Sequence, residues 1–206
     1  MVADLTATRL TKSFYERDAL EVARDLVGCV FTHRIRAGIV SLRLVETEAY
    51  RGSIDPGSHG YRGMTRRTRT MFGPPGRLYV YFTYGMHYCA NIVCAREGVC
   101  EAVLLRAGEP VVGVDVMRAN RPGITQDRLL AAGPARLTQA MGIGRRHDGV
   151  SLLRGGEFWC ARDDVTDEFQ VQEIAQTVRI GLAAGRGDEI PWRFVVPGQP
   201  HASRSR

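Results

Sequence analysis

The run Arg77–Asn91, RLYVYFTYGMHYCAN, leaves a chain few choices of local structure. Side chains alternate across a strand, so Tyr79 and Tyr81 fall on one face and Val80 and Phe82 on the other. Gly85 permits a tight reversal, which makes the run a hairpin with Tyr84 at or near its tip. One face of such a hairpin can close a core while the other offers paired tyrosines to whatever lies across it. A large aromatic side chain at a turn tip is unusual and asks for a reason outside folding.

Around this run, Ala19, Val22, Ala23, Leu26 and Val27 recur at helical spacing and predict a helix over Phe14–Val27 that stops at Gly28. Cys29–Arg36 and Val40–Thr47 read as a hairpin around Ala37-Gly38, followed by a polar, glycine-rich loop from Arg51 to Thr70. Further strands are predicted at Tyr79–Phe82, Met86–Ala95, Glu101–Arg106, Val171–Gly181 and Trp192–Val196. Gly108–Asn120 and Gly133–Met141 read as helices, the second with proline at a first-turn position. Hairpins without regular βαβ alternation indicate an α+β fold with a largely antiparallel sheet. The 206 residues, 44% hydrophobic and 24% charged, suit a single domain over residues 1–206, with only His201–Arg206 expected to fray.

Composition also narrows the function. No apolar run approaches the roughly 20 residues of a membrane span, and the first residues lack a signal-peptide core, so a cytoplasmic protein without membrane contact is expected. Cys29, Cys89, Cys94, Cys100 and Cys160 include no C-x-x-C pair, and reduced, buried thiols are the favoured reading. His87, Cys89, Cys94 and Cys100 have the wrong spacing for a zinc knuckle, and neither metal nor cofactor is expected. The formal charge of +6 suits a polyanionic partner without requiring one. Lys12 is the only lysine among 28 cationic residues; arginine favours bidentate phosphate contacts, although codon usage gives the same bias.

Three stretches could carry chemistry. In VETEAY, Val45–Tyr50, strand alternation puts Val40, Leu42, Leu44, Glu46 and Glu48 on one face, so the pattern turns from apolar to acidic as it leaves the core. These carboxylates either form a structural ion pair with an arginine or activate water and steady a developing cation. In the loop that follows, Arg62, Arg66, Arg67 and Arg69 lie among glycines and threonines, as a solvated loop or as a grip on phosphates. Arg106, ending the apolar run of VLLRAGEP, calls for an ion pair with Glu46, Glu48 or Glu109. A basic loop, a tyrosine pair, an aromatic tip, a carboxylate and an arginine are the parts needed to work on a base inside duplex DNA.

At these residues the chain resembles the alkyladenine (3-methyladenine) DNA glycosylase family of base-excision repair. The resemblance rests on VETEAY, His59, MFGPPGRLYVYFTYGMHYCAN, VLLRAGEP, GPARLTQAMGI, RIGLAAG and PWRFVVPG, in the family's order from about Asp18 to Ser203. It implies a curved, largely antiparallel sheet flanked by helices, with a hairpin that enters the DNA minor groove. It further implies a monomeric, nucleoid-associated hydrolase that flips 3-methyladenine, 7-methylguanine and related damaged purines out of double-stranded DNA and leaves an abasic site. By the same resemblance Glu48 is the general base, Arg106 its partner in holding water, and the Ile180 carbonyl a third contact to that water. Tyr50, His59 and Tyr81 match the walls that stack the flipped base, Asn91 the residue that disfavours guanine, and Tyr84 the wedge replacing the extruded nucleotide. Arg62, Arg67 and Arg69 are the expected phosphate contacts; Arg67 keeps the family's basic position, although Thr65-Arg66-Arg67-Thr68 stands where many relatives read Thr-Pro-Arg-Asn. With only Lys12 and the N-terminus able to form a Schiff base, a water nucleophile is expected. A damaged-DNA binding module without catalysis would not need Glu48, and a nucleoside or RNA hydrolase would need neither the basic loop nor Tyr84.

Overall fold

The computed structural model describes residues 7–153, 155–171 and 174–203. In chain order its elements are β1 (Thr8–Arg9), α1 (Lys12–Tyr15), α2 (Ala19–Leu26), β2 (Val30–Ile35), β3 (Gly38–Tyr50), β4 (Leu78–Thr83), β5 (His87–Cys94), β6 (Glu101–Val112), α3 (Val114–Asn120), α4 (Pro134–Ala140), β7 (Phe158–Arg162), α5 (Asp164–Val171), β8 (Ala175–Thr177) and β9 (Arg193–Val195). They build one nine-stranded sheet in the order β1-β7-β2-β3-β6-β5-β4, with β9 joining β3 and carrying β8. All the pairings between named strands are antiparallel, as the hairpin-rich sequence predicts.

Strand β3 is the spine. One edge follows β6 from Ser41 to Tyr50; the other pairs with β2 over Gly38–Arg43 and then with β9 over Glu46–Glu48. Val22, Ala23 and Leu26 of α2 and Leu137 and Ala140 of α4 join Val40, Leu42, Leu44, Ile92 and Leu105 of the sheet in one core. Every residue from Val40 to Ala49 is buried, a burden that a strand covered on both faces must carry.

Several boundaries differ from expectation for identifiable reasons. The helix expected over Phe14–Val27 is two helices, because the Asp18 side chain accepts the Leu20 N–H and caps α2 at 2.8 Å. The Tyr15 and Arg17 carbonyls turn instead to the Ala95 N–H, at 3.0 and 3.1 Å. The helix expected over Gly108–Asn120 begins only at Val114, since Gly108, Glu109 and Pro110 stay in β6 opposite Leu44, Arg43 and Leu42. The strand expected over Val171–Gly181 is the end of α5 followed by three-residue β8, with residues 172–173 outside the described set. His201–Ser203 are held rather than frayed: Ser203 donates its N–H and its hydroxyl to Glu46 at 2.6 and 2.7 Å, while residues 204–206 lie outside the described set. All five cysteines are free and buried.

The aromatic run forms the expected hairpin, although neither face is uniformly buried: Tyr79 and Val80 are buried and Phe82 is exposed. Strands β4 and β5 pair from Leu78↔Ile92 to Thr83↔His87, and the turn places Tyr84 at φ 50° and Gly85 at φ 67°. Glycine meets that left-handed backbone without strain; tyrosine does not, and its ring stands 80% exposed at the tip.

Candidate active site

The polar centre arises from two compensating bulges. Between Leu44↔Gly108 and Thr47↔Leu105 only Glu46↔Ala107 pair directly, so Val45 and Arg106 are each left without a cross-strand partner. Arg106 lies between the two acidic residues of β3: its Nε donates to Glu46 Oε1 at 2.7 Å and its Nη1 stands 3.1 Å from Glu48 Oε1. Both carboxylates are fully buried, which is tolerable only because their charges are matched. Burial works against the Arg106 charge, but Glu48 and Glu46 outweigh it and raise its pKa. Of the three acidic partners considered for Arg106, the structure brings two to it.

The two carboxylates differ in the company they keep. Glu46 accepts from Arg106, Arg193 Nε at 2.7 Å, the Ser203 hydroxyl and the Ser203 N–H. Burial pushes its carboxyl up, yet Arg106, Ser203 and Arg193 together hold it below its ordinary value. Glu48 accepts the Ile180 N–H on Oε1 at 2.8 Å and the Tyr50 hydroxyl on Oε2 at 2.9 Å. A carboxylate oxygen has two acceptor directions, so Oε2 of each keeps one open; what separates the two is place, because Tyr50 and Ile180, the partners of Glu48, line the cavity described next, whereas Arg193 and Ser203, the partners of Glu46, do not. Ile180 also turns its carbonyl to Arg106 Nη1 at 3.5 Å, so both halves of one peptide address this pair.

Arg106 and Ile180 line a cavity of about 460 Å³ with Tyr50, His59, Tyr81 and Asn91, the size of a pocket for a small ligand. Tyr79 and Tyr81 stack with ring centres 5.4 Å apart and 24° between planes. Tyr79 is fully buried and serves as support; burial pushes its hydroxyl up to about 12, and that hydroxyl lies 3.1 Å from His59 Nδ1. His59 stands edge-on to Tyr81, ring centres 4.5 Å apart. Desolvation, then the Arg67 guanidinium, lowers its pKa to about 4; the ring is still exposed, so water screens part of this, but it is neutral at pH 7. Burial and the Glu48 charge raise the Tyr50 hydroxyl well above its usual value, so it donates and stays protonated. Asn91 of β5 is buried between Tyr79 and Leu104 in the sheet register.

Tyr84 reaches the cavity from the hairpin tip, flanked by exposed Phe82 and Met86. Arg62, Arg67 and Arg69 are exposed on the loop before β4, but only Arg67 meets a predicted pocket wall, its guanidinium 5.7 Å from the Tyr81 ring centre.

Sequence reasoning missed the brace beneath Tyr50. Arg179 and Asp55, both with fully buried side chains, form a bidentate pair at 2.7 Å on each prong. The Arg179 guanidinium lies 4.7 Å from the Tyr50 ring centre and 5.2 Å from that of Trp192, and it donates to the Ala49 and Gly187 carbonyls. A Cβ on Gly57 would sit 2.9 Å from Arg179 Nη2, so only glycine lets the loop close over the pair. Asp55 is 124 residues from Arg179 in the chain, and nothing local to either residue announces the other.

Among the described residues one group, His33, His147 and Glu157, brings metal-ligating atoms within 4.8 Å of one another. Both ring nitrogens of His147 face N–H groups, that of Gly144 at 2.9 Å and that of the Arg146 guanidinium at 3.0 Å. No lone pair of His147 is free for a cation, and a guanidinium already stands there.

A sequence model of the family described as methylpurine-DNA glycosylase (MPG) matches residues 13–200. The chain is 49% identical over 195 residues to a protein of Burkholderia lata, covering 94% of this chain and 90% of that one. It is 46% identical over 199 residues to one of Chlorobaculum parvum (96% and 92%) and 43% identical over 208 residues to one of Streptomyces avermitilis (100% and 96%). All three relatives carry the name "Putative 3-methyladenine DNA glycosylase". The chain thus belongs to the methylpurine-DNA glycosylase family, and is with it a DNA glycosylase.

Proposed function

We propose that this protein flips 3-methyladenine, 7-methylguanine and related damaged purines, ethenoadenine and hypoxanthine among them, out of double-stranded DNA. It then hydrolyses the N-glycosidic bond with a water activated by Glu48 and leaves an abasic site. The observation that carries this reading is a buried carboxylate with an open acceptor direction, held by Arg106, Ile180 and Tyr50, all three of which line an aromatic cavity. Alkylation at N3 or N7 makes the purine cationic and a ready leaving group. The demand on the protein is then to stabilise the sugar cation and direct water at it, which a carboxylate does in glycoside hydrolysis generally. The tyrosines favour a cationic base through their ring faces, and a neutral His59 adds no opposing charge. Asn91 is suited to disfavour normal guanine at its 2-amino group, a penalty that 7-methylguanine offsets with its positive charge.

Lys12 is exposed and ion-paired with Glu16, and among the described residues no amine lines the cavity. The reaction is therefore monofunctional, without a covalent enzyme–DNA adduct. The arginine loop grips the backbone, the hairpin enters the minor groove, and the protein works as a monomer on the nucleoid; no helix among the described residues is long and apolar enough to cross a membrane.

The test is single-turnover excision from duplexes carrying 3-methyladenine, ethenoadenine or hypoxanthine, with chelator and with borohydride. Base release that survives chelator and traps no adduct supports the reading. Binding without release from any lesion would establish a damage-binding module instead. Tyr84→Ala is expected to weaken capture of damaged duplexes roughly tenfold, by loss of one stacking partner, with a smaller effect on single strands. Equal loss on both substrates would remove Tyr84 from its wedge role.

A further inference from the structure

The segment after β9 reaches the polar centre without lining the cavity. It turns through the Ala202 N–H to the Gln199 carbonyl at 3.1 Å, which delivers Ser203 to Glu46 and Arg106. Gln199, Pro200, Ala202 and Ser203 line one wall of a separate hollow with Arg128 and Arg136, and Ser203 does not line the cavity that Tyr81 and Asn91 share. Whatever Ser203 does to chemistry it does through another side chain.

That side chain is Arg106. Its three nitrogens have different acceptors: Nε has Glu46, Nη1 has Glu48 and the Ile180 carbonyl, and Nη2 has the Ser203 hydroxyl at 3.2 Å. The Ser203 hydroxyl in turn donates to Glu46 Oε1 at 2.7 Å. An arginine beside a carboxylate prefers to grip it with two prongs. Here the hydroxyl occupies the place that Nη2 would need, and the Ser203 N–H, at 2.6 Å from Oε2, pins the other carboxylate oxygen. Glu46 is thus limited to one Arg106 nitrogen, and Nη1 is left directed at Glu48.

We propose that Ser203 is a positioning residue that prevents Arg106 from collapsing onto Glu46 and so keeps Nη1 on Glu48. The proposal rests on the reading of Glu48 and Arg106 as the water-activating pair. Without the hydroxyl, Nη2 of a buried guanidinium loses its acceptor and swings to Glu46, drawing Nη1 away from Glu48 and Ile180.

The experiment compares single-turnover base release and damaged-duplex binding for wild type, Ser203→Ala and Ser203→Thr, alone and in an Arg106→Ala background. Ser203→Ala should slow release about tenfold with duplex affinity within about twofold, because misplacement near the reacting atoms lowers rate before binding. Ser203→Thr, which restores the hydroxyl, should recover most of the rate. In the Arg106→Ala background Ser203→Ala should cause no further loss. A wild-type rate for Ser203→Ala, or an equal loss with Arg106 already removed, overturns the proposal. If wild type itself releases no base, the hydrolase reading fails on its own. The same double-mutant cycle followed by thermal unfolding then decides the clamp, which zero coupling between positions 106 and 203 would refute.

Discussion

Exchanging Glu48 for glutamine should slow base release by roughly 10²- to 10⁴-fold, the usual worth of a general base, while damaged-duplex affinity changes little. The fold should survive the exchange. A glutamine carbonyl can take over the Ile180 N–H and Arg106 Nη1 contacts, and its amide can donate to a Tyr50 hydroxyl that rotates from donor to acceptor. What glutamine cannot do is take a proton from water. Glu46→Gln makes the informative partner, because all the groups around Glu46 are donors. An amide there must turn its N–H₂ toward one of them, so Glu46→Gln should lower stability more than Glu48→Gln does. Loss of release in Glu46→Gln at full folding, with Glu48→Gln active, would reverse the assignment.

The second large effect is on stability. Asp55→Ala should cost about 3 to 5 kcal/mol, because it leaves the Arg179 charge buried with only carbonyls for company. In a chain of this size that lowers the unfolding midpoint by roughly 6 to 20 °C. Replacing the pair together, as Asp55→Ala with Arg179→Met, should be milder than the sum of the single changes, since no unpaired charge remains. Thermal unfolding of the three variants is the check; a midpoint for Asp55→Ala within the scatter of wild type would show that the brace bears no weight. Activity should fall with it, because the guanidinium stacked beneath Tyr50 also sets the angle of the pocket wall.

How far these features can be read from sequence depends on how local their causes are. Tyr79 and Tyr81 announce their shared face through alternation, and Gly85 announces the turn that exposes Tyr84, because each depends on neighbours within a few residues. Glu46 and Glu48 are legible as a pair on one side of β3, yet alternation cannot tell which has its partners at the cavity. That difference comes from Arg193 and Ser203, far along the chain. Helix spacing from Phe14 to Val27 conceals the break at Asp18, where a side-chain cap and the Ala95 N–H override periodicity. Gly108 and Pro110 look like helix entry in isolation, but β3 provides an edge that keeps them extended. Strand β7 and helix α5 carry no motif, and pairing to β2 on one edge and β1 on the other gives β7 its place.

The bonds at Arg106 and the two acidic residues span 60, 132 and 157 positions of chain. Each such link closes a long loop, and long loops close late and slowly. No fragment or half-formed sheet therefore holds the reactive geometry. During refolding from denaturant, catalytic competence should be the last signal to return, trailing the recovery of helical and sheet signals, and a sensitive gauge of chains that have fully matured.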